Sequence, residues 1–143
     1  MTVKAIMSRK GSDVLTIEPT ATLAAAVQLL AERRIGAVVI TGPDGQVIGI
    51  LSERDIVRAI ASRGPAALDE AVGQVMTRKV LTCAEADTVS SLMERMTAGK
   101  FRHLPVVDRG RLTGIVSIGD IVKHRLAEME HESSALREYI LTA

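Results

Sequence analysis

The chain repeats itself, and nothing else in the sequence constrains its fold as much. Val3-Lys4-Ala5-Ile6-Met7-Ser8-Arg9-Lys10 returns as Val72-Gly73-Gln74-Val75-Met76-Thr77-Arg78-Lys79. Val14-Leu15-Thr16 returns as Val80-Leu81-Thr82. Gly49-Ile50-Leu51-Ser52-Glu53-Arg54-Asp55-Ile56-Val57 returns as Gly114-Ile115-Val116-Ser117-Ile118-Gly119-Asp120-Ile121-Val122. The matches keep their order, and the main slip is an insertion, Gly11-Ser12-Asp13, in the first copy. In a chain of 143 residues each copy buries too little surface to stand alone. The two are therefore expected to pack sheet against sheet into one pseudo-twofold unit, with equivalent grooves at the joint where ligands tend to bind.

Each copy reads as β-α-β-β-α. A short β run comes first, Val14 to Ile17 and Val80 to Cys83. Then Leu23, Ala26, Val27 and Leu30, matched by Val89, Leu92, Met93 and Met96, follow the i, i+3, i+4, i+7 spacing of an amphipathic helix, with Thr22 and Thr88 placed as N-caps. Two strands follow, Ala37 to Ile40 and Gln46 to Leu51 around the turn Gly42-Pro43-Asp44-Gly45. Their counterparts are His103 to Val107 and Arg111 to Val116 around Asp108-Arg109-Gly110. A last helix starts near Glu53 and near Ile118. The organisation expected is a first repeat over 1–62, a linker over 63–71 containing Arg63-Gly64-Pro65-Ala66-Ala67, a second repeat over 72–126 and a helical extension over 127–143.

Composition narrows the function. Eighteen basic residues against 17 acidic ones argue against a dedicated duplex-DNA binder, which shows a basic excess, and make nucleic acid an unexpected partner. Aromatics make up 1%, leaving Phe101 and Tyr139, so a flat ligand is expected between aliphatic side chains such as Val38, Ile50, Leu104 and Ile115. The longest apolar run, Leu23 to Val27, is far short of the ~20 residues of a membrane span. With no apolar signal core at its N-terminus, the chain is expected to be soluble, cytoplasmic and without a membrane partner. Cys83 falls in an expected strand and reads as a buried, inert thiol.

Gly-hydrophobic-x-Ser-x-x-Asp closes each copy of the β-α-β-β-α duplication. With the strand Arg102-His103-Leu104-Pro105-Val106-Val107, this resembles a tandem pair of CBS domains, a Bateman module, over residues 3 to about 126. The resemblance implies an α/β fold of two CBS repeats. It also implies a regulatory, non-catalytic role and an adenosine-containing ligand in the interdomain cleft: AMP, ADP, ATP, S-adenosylmethionine or NAD(H). The residues agree. Asp55 and Asp120 sit just inside helix starts, where a carboxylate gains from the helix dipole and its two oxygens can accept both ribose hydroxyls. Ser52 and Ser117 can donate to a phosphate oxygen beside the helix N–H groups. In the family the matching Asp grips ribose and the matching Ser or Thr lies near phosphate. Ser and Asp at such positions also form ordinary helix caps, but their repetition within this architecture favours the ligand role.

The two sites are not expected to be equal. Arg102 and His103 stand where the first copy has Gly36 and Ala37, and Lys100 precedes them as Arg34 does in the first copy. By the family resemblance the second copy is the better mononucleotide phosphate site, with AMP the first choice; an edge-strand Arg and a hydrogen-bonded core His are the plainer alternative. The first copy has Arg54, Arg9 and Lys10, suited to ATP, ADP or the pyrophosphate of NAD(H), or to a solvated basic surface. Thr16 and Thr82 stand near the adenine by the resemblance and read equally well as strand threonines.

His124 and Glu128 share a helix face at i, i+4, with His131 and Glu132 beyond, which reads as a solvated face rather than a metal site. No Walker A sequence, Gly-x-Gly-x-x-Gly run or nucleophile elbow is present. From Ile118 to Leu141 a long helix is expected, with Val122, Leu126, Met129, Ser133, Leu136 and Ile140 in a heptad-like seam that helps form a homodimer. The function expected is an adenine-nucleotide sensor that signals to a separate effector protein. The alternative is an interaction scaffold whose ligand sites have degenerated.

Overall fold

The computed structural model describes residues 1–11 and 13–142. Ser12, the middle of the insertion, and Ala143, the last residue of the extension, lie outside them. The first copy consists of β1 (Thr16–Ile17), α2 (Leu23–Arg33), β2 (Ala37–Thr41), β3 (Val47–Ser52) and α3 (Glu53–Arg63), after α1 (Val3–Lys10). A 3-10 helix, Gly64–Asp69, and the short α4 (Val72–Val75) lead to α5 (Val89–Gly99), β4 (His103–Asp108), β5 (Arg111–Ser117) and α6 (Ile118–Thr142).

The caps form where the sequence places them. Thr22 Oγ1 accepts from the Ala25 N–H at 3.1 Å and Thr88 Oγ1 from the Ser91 N–H at 3.1 Å, each satisfying a donor that a helix start leaves free. In the first sheet β1 runs parallel to β2, and β2 antiparallel to β3. The second sheet is the β4–β5 hairpin, turned through Arg109 (φ 51°) and Gly110 (φ 78°), consecutive positive φ values of the kind that match hairpin twist. The β run expected over Val80 to Cys83 is reduced to a single parallel bridge between Cys83 and Val106. The Cys83 N–H reaches the Pro105 carbonyl at 2.9 Å, and the Cys83 carbonyl accepts from the Val107 N–H at 2.9 Å. No second ladder residue extends the pairing, because Val80 and Leu81 turn away to line a cavity.

There are two cores, and the copies exchange their leading segments. The first core packs Leu23, Leu30, Val38, Ile40, Leu51 and Ile56 together with Ala67, Val72 and Met76 from the segment that follows α3. The second packs Leu92, Met96, Leu104, Val106, Val116 and Ile121 with Val3, Ile6 and Met7 of α1. The backbone docks both segments alike. Val72 N–H donates to the Ala21 carbonyl and Leu23 N–H to Glu70; Val3 N–H donates to Asp87 and Val89 N–H to Met1. A Cβ at Gly49 would run into Met76, and one at Gly114 into Met7, so glycine lets each methionine lie against the neighbouring strand. This interlock makes one unit of two copies that are each too small alone. Among the described residues, no helix is long and apolar enough to cross a membrane.

Candidate functional site

The site begins at the two helix caps. Ser52 N–H donates to Asp55 Oδ2 at 2.9 Å, and the Asp55 N–H to Ser52 Oγ at 3.4 Å, a reciprocal capping box that starts α3. Ser117 and Asp120 repeat it at 2.8 and 3.1 Å at the start of α6. Each Asp thus has one oxygen fixed by its own helix start. What else each carboxylate binds differs. Asp55 Oδ1 accepts from the Thr77 hydroxyl at 3.0 Å. Asp120 Oδ2 accepts from Lys10 Nζ at 2.7 Å, and the same ammonium donates to the Ile115 carbonyl at 2.8 Å.

An open cavity of about 1140 Å³ lies between the copies. The first copy lines it with Gly36, Ile50, Ser52, Arg54 and Asp55. The second contributes Lys100, Phe101, Arg102, His103 and Ser117, and the segment before it adds Thr77, Lys79, Val80 and Leu81. Arg54 Nη1 spans the joint to the Lys100 carbonyl at 3.2 Å. Lys100 itself ends α5 in the left-handed region (φ 57°), which turns the chain so that Phe101 to His103 enter the cavity wall. Although the whole chain carries a net charge of +1, this wall presents Arg54, Arg58, Lys79, Lys100 and Arg102 against Glu53 and Asp55. An anion is thereby drawn to it.

Burial holds the His103 imidazole below its ordinary value, against the pull of the Asp120 and Glu53 carboxylates. Partial burial alone would push the Asp120 carboxyl up, but Lys10 and the Ser117 donors outweigh it and hold it below the usual range. Burial raises the Cys83 thiol to about 11, so it stays protonated at neutral pH.

The fold groups the expected residues differently from their order in the sequence. Arg102 and His103, paired by sequence with Asp120, share the cavity with Ser52 and Asp55 of the first copy. Lys10, grouped with the first copy, lies on Asp120 of the second, because α1 packs there. Arg9 is exposed near the end of α1. Thr16 pairs with Val39 in the sheet, Ala37 with Ser52, and Thr82 offers its carbonyl to Arg95; none of the three lines the cavity. Val38 and Leu104 are sealed in the cores because their side chains point to the helix layer, whereas Ile50 lines the cavity. His124, expected on a solvated face, is buried at 5% exposure one turn beyond Ile121, on the face of α6 that meets the body. Its Nε2 stands 3.6 Å from Glu128. Among the described residues, no group of three or more His, Cys, Asp or Glu is placed to hold a metal.

Sequence reading passed over Thr77, Lys79, Val80, Leu81 and Phe101. The signal for Thr77 and Lys79 was the repeat itself, since they match Ser8 and Lys10. Phe101 was conspicuous as one of two aromatics.

Comparison with known proteins places the chain. A 17.7 kDa protein of Acidianus ambivalens is 35% identical over 111 residues, covering 77% of this chain and 66% of that protein, so the chain spans just under two thirds of that relative's length. The crystal structure of a CBS-domain containing protein from Agrobacterium tumefaciens matches with a TM-score of 0.84 at 48% identity, covering 87% of this chain and 92% of that one. A CBS domain protein from Pyrobaculum aerophilum, solved in complex with AMP, matches with a TM-score of 0.74 at 29% identity over 84% of this chain and 89% of that one. The CBS domain family matches residues 3–62 and again residues 72–127. With both cores, both caps and both family matches in register, the chain belongs to the CBS-domain family and carries its domains as a tandem pair.

Proposed function

We propose that this CBS pair is a non-catalytic regulatory module that takes an adenine nucleotide into the cavity between its copies and reports occupancy to a separate effector protein. The observation that carries this is the meeting, in one cavity, of the Ser52–Asp55 cap with the cations of the other copy. In this reading Asp55 exchanges the Thr77 hydroxyl for the two ribose hydroxyls, and Lys100, Arg102 and His103 hold the phosphate. Ile50, Val80 and Leu81 offer apolar faces to the purine. AMP is the first choice, since its single phosphate calls on these groups alone. ADP, ATP or NAD(H) extends toward Arg54, Arg58 and Lys79. In the second copy the Lys10 ammonium occupies Asp120, so the equivalent site there stays closed to nucleotide. The AMP complex of the Pyrobaculum aerophilum protein supports the ligand class. A ligand spanning both copies favours one angle between them only by its differential affinity for the two states. The module acts as a homodimer in the cytoplasm.

The test is to denature the purified chain, identify any released small molecule by chromatography and mass spectrometry, and run a thermal-shift panel of AMP, ADP, ATP, NAD(H) and S-adenosylmethionine. A released adenine nucleotide, or a saturable shift worth about 2.7 kcal/mol at a hundredfold excess over Kd, is expected. No nucleotide and no shift would leave the second reading, a dimerisation scaffold. The Lys10–Asp120 pair favours that reading, since it satisfies a cap without any ligand.

A further inference from the structure

The 25-residue helix α6 has two faces that do different things. Ile121 and His124 are its buried residues, and Glu128 lies on the same side, so this face packs on the chain's own body. The seam Val122, Leu126, Met129, Ser133, Leu136 and Ile140 points the other way; its apolar members are 50–65% exposed. From Met129 to Thr142 every residue is exposed. A helical arm with no tertiary packing is marginal in water at this length. The alternating spacings of four and three are those of a coiled-coil seam, and the residues facing the body fall outside it.

The charges beside the seam say what covers it. One flank carries Arg125 and Glu132, the other Lys123, Glu130 and Arg137. If two copies of α6 pair in parallel and in register, Arg125 faces Glu130 of the partner subunit, and Glu132 faces Arg137 of the partner subunit. Each contact occurs twice by symmetry, and all are attractive. If they pair antiparallel over the whole seam, Lys123 meets Arg137 of the partner subunit, Glu130 meets Glu130 of the partner subunit and Glu132 meets Glu132 of the partner subunit. Every one of those contacts is repulsive. The Arg125–Glu128 contact within the helix, at 3.4 Å and exposed, is too weak to hold Arg125 back.

We infer that α6 pairs with α6 of a second copy as a parallel two-stranded coil, which sets both CBS pairs at the same end of the assembly. This deepens the homodimer of the proposed function by fixing its orientation. The mass of the full chain in solution, by sedimentation at tens of micromolar, should be that of a dimer. Leu136→Glu with Ile140→Glu should give a folded monomer by circular dichroism. Ser133→Cys should form an intersubunit disulfide under mild oxidation, because in-register Ser133 positions face one another only in the parallel coil; Cys83, buried and protonated, does not compete. Glu130→Arg should weaken the dimer about tenfold, and Arg125→Glu added to it should restore it. A wild-type monomer would overturn the inference and the homodimer reading together. A dimer that does not link through Ser133→Cys, or that survives the Leu136 and Ile140 changes, would overturn the coil and leave the homodimer standing.

Discussion

At the end of β3, Asp55 accepts from its own helix start and from the Thr77 hydroxyl; at the end of β5, Asp120 accepts from its own helix start and from the Lys10 ammonium. The caps are the same, so the difference comes from the segments the copies exchange. Thr77 corresponds to Ser8 and Lys79 to Lys10. The short α4 ends at Val75, so Thr77 is extended, bridges to Ile50 and turns its hydroxyl onto Asp55. In the other segment the helix continues to Lys10, where Gly11, the first residue of the insertion, ends it with φ 85°. Ser8 is therefore still helical and donates its hydroxyl back to the Lys4 carbonyl at 3.0 Å. Asp120 is left to Lys10. A few inserted residues thus decide that one carboxylate meets a neutral donor at an open cavity while its twin is neutralised by the chain's own cation.

The largest expected effect tests whether that difference matters for ligand. Asp55→Ala should weaken adenine-nucleotide binding by about 1.5–3 kcal/mol, roughly ten- to a hundredfold in Kd, as charged hydrogen bonds to ribose are lost. Asp120→Ala should leave the same titration within about twofold. Isothermal titration of both variants decides it. Equal losses would show that the two caps serve ligand alike.

Much of this architecture was legible in the sequence because repetition and helix caps are local signals. Thr22 and Thr88 cap the helices they are expected to cap, Ser52 and Ser117 form the caps that are the plainer alternative to their expected ligand role, and β2 to β5 fall within a residue or so of their expected bounds. The partition of the site was not legible. Nothing in the order Arg102-His103 or Arg9-Lys10 says which Asp each will meet, because that depends on α1 packing in the second core and α4 in the first. Periodicity likewise showed that α6 is amphipathic at its seam, but not that His124 lies on a second, inward face, since a lone His carries no apolar signal.

A medium effect is expected from removing the chain's own cation. Lys10→Met should lower stability by about 1–2 kcal/mol at neutral pH, since a charged hydrogen bond in a half-buried setting is lost. The pH dependence has a definite sign. The folded-state carboxyl of Asp120 lies below its unfolded value, so its stabilising contribution is full above the ordinary carboxylate range and disappears as pH falls through the lowered value. Denaturant melts from pH 7 downward should show that loss in the wild type and a smaller one in Lys10→Met. The same variant exposes Asp120, and its nucleotide stoichiometry should rise from one to two per chain. If stoichiometry stays at one, the ion pair is not what separates the two sites.

The smallest effect separates backbone from charge. Arg34 and Lys100 end equivalent helices in the left-handed region, at φ 53° and 57°, where a side chain is strained and glycine is not. Relief of about 1–2 kcal/mol of strain, set against about 0.5–1 kcal/mol of added unfolded-state entropy, leaves Arg34→Gly and Lys100→Gly each about 0.5–1 kcal/mol more stable. Lys100 lines the cavity and Arg34 does not. The bond from Arg54 runs to the Lys100 backbone carbonyl, so it survives the change to glycine. Nucleotide affinity should therefore fall severalfold in Lys100→Gly alone, while the melting temperature rises in both. A parallel drop in both variants would mean that the left-handed turn, rather than the ammonium it carries, shapes the site. In that case the strain at Lys100 is retained for the path of Phe101 to His103, and the two copies differ there less than their sequences suggest.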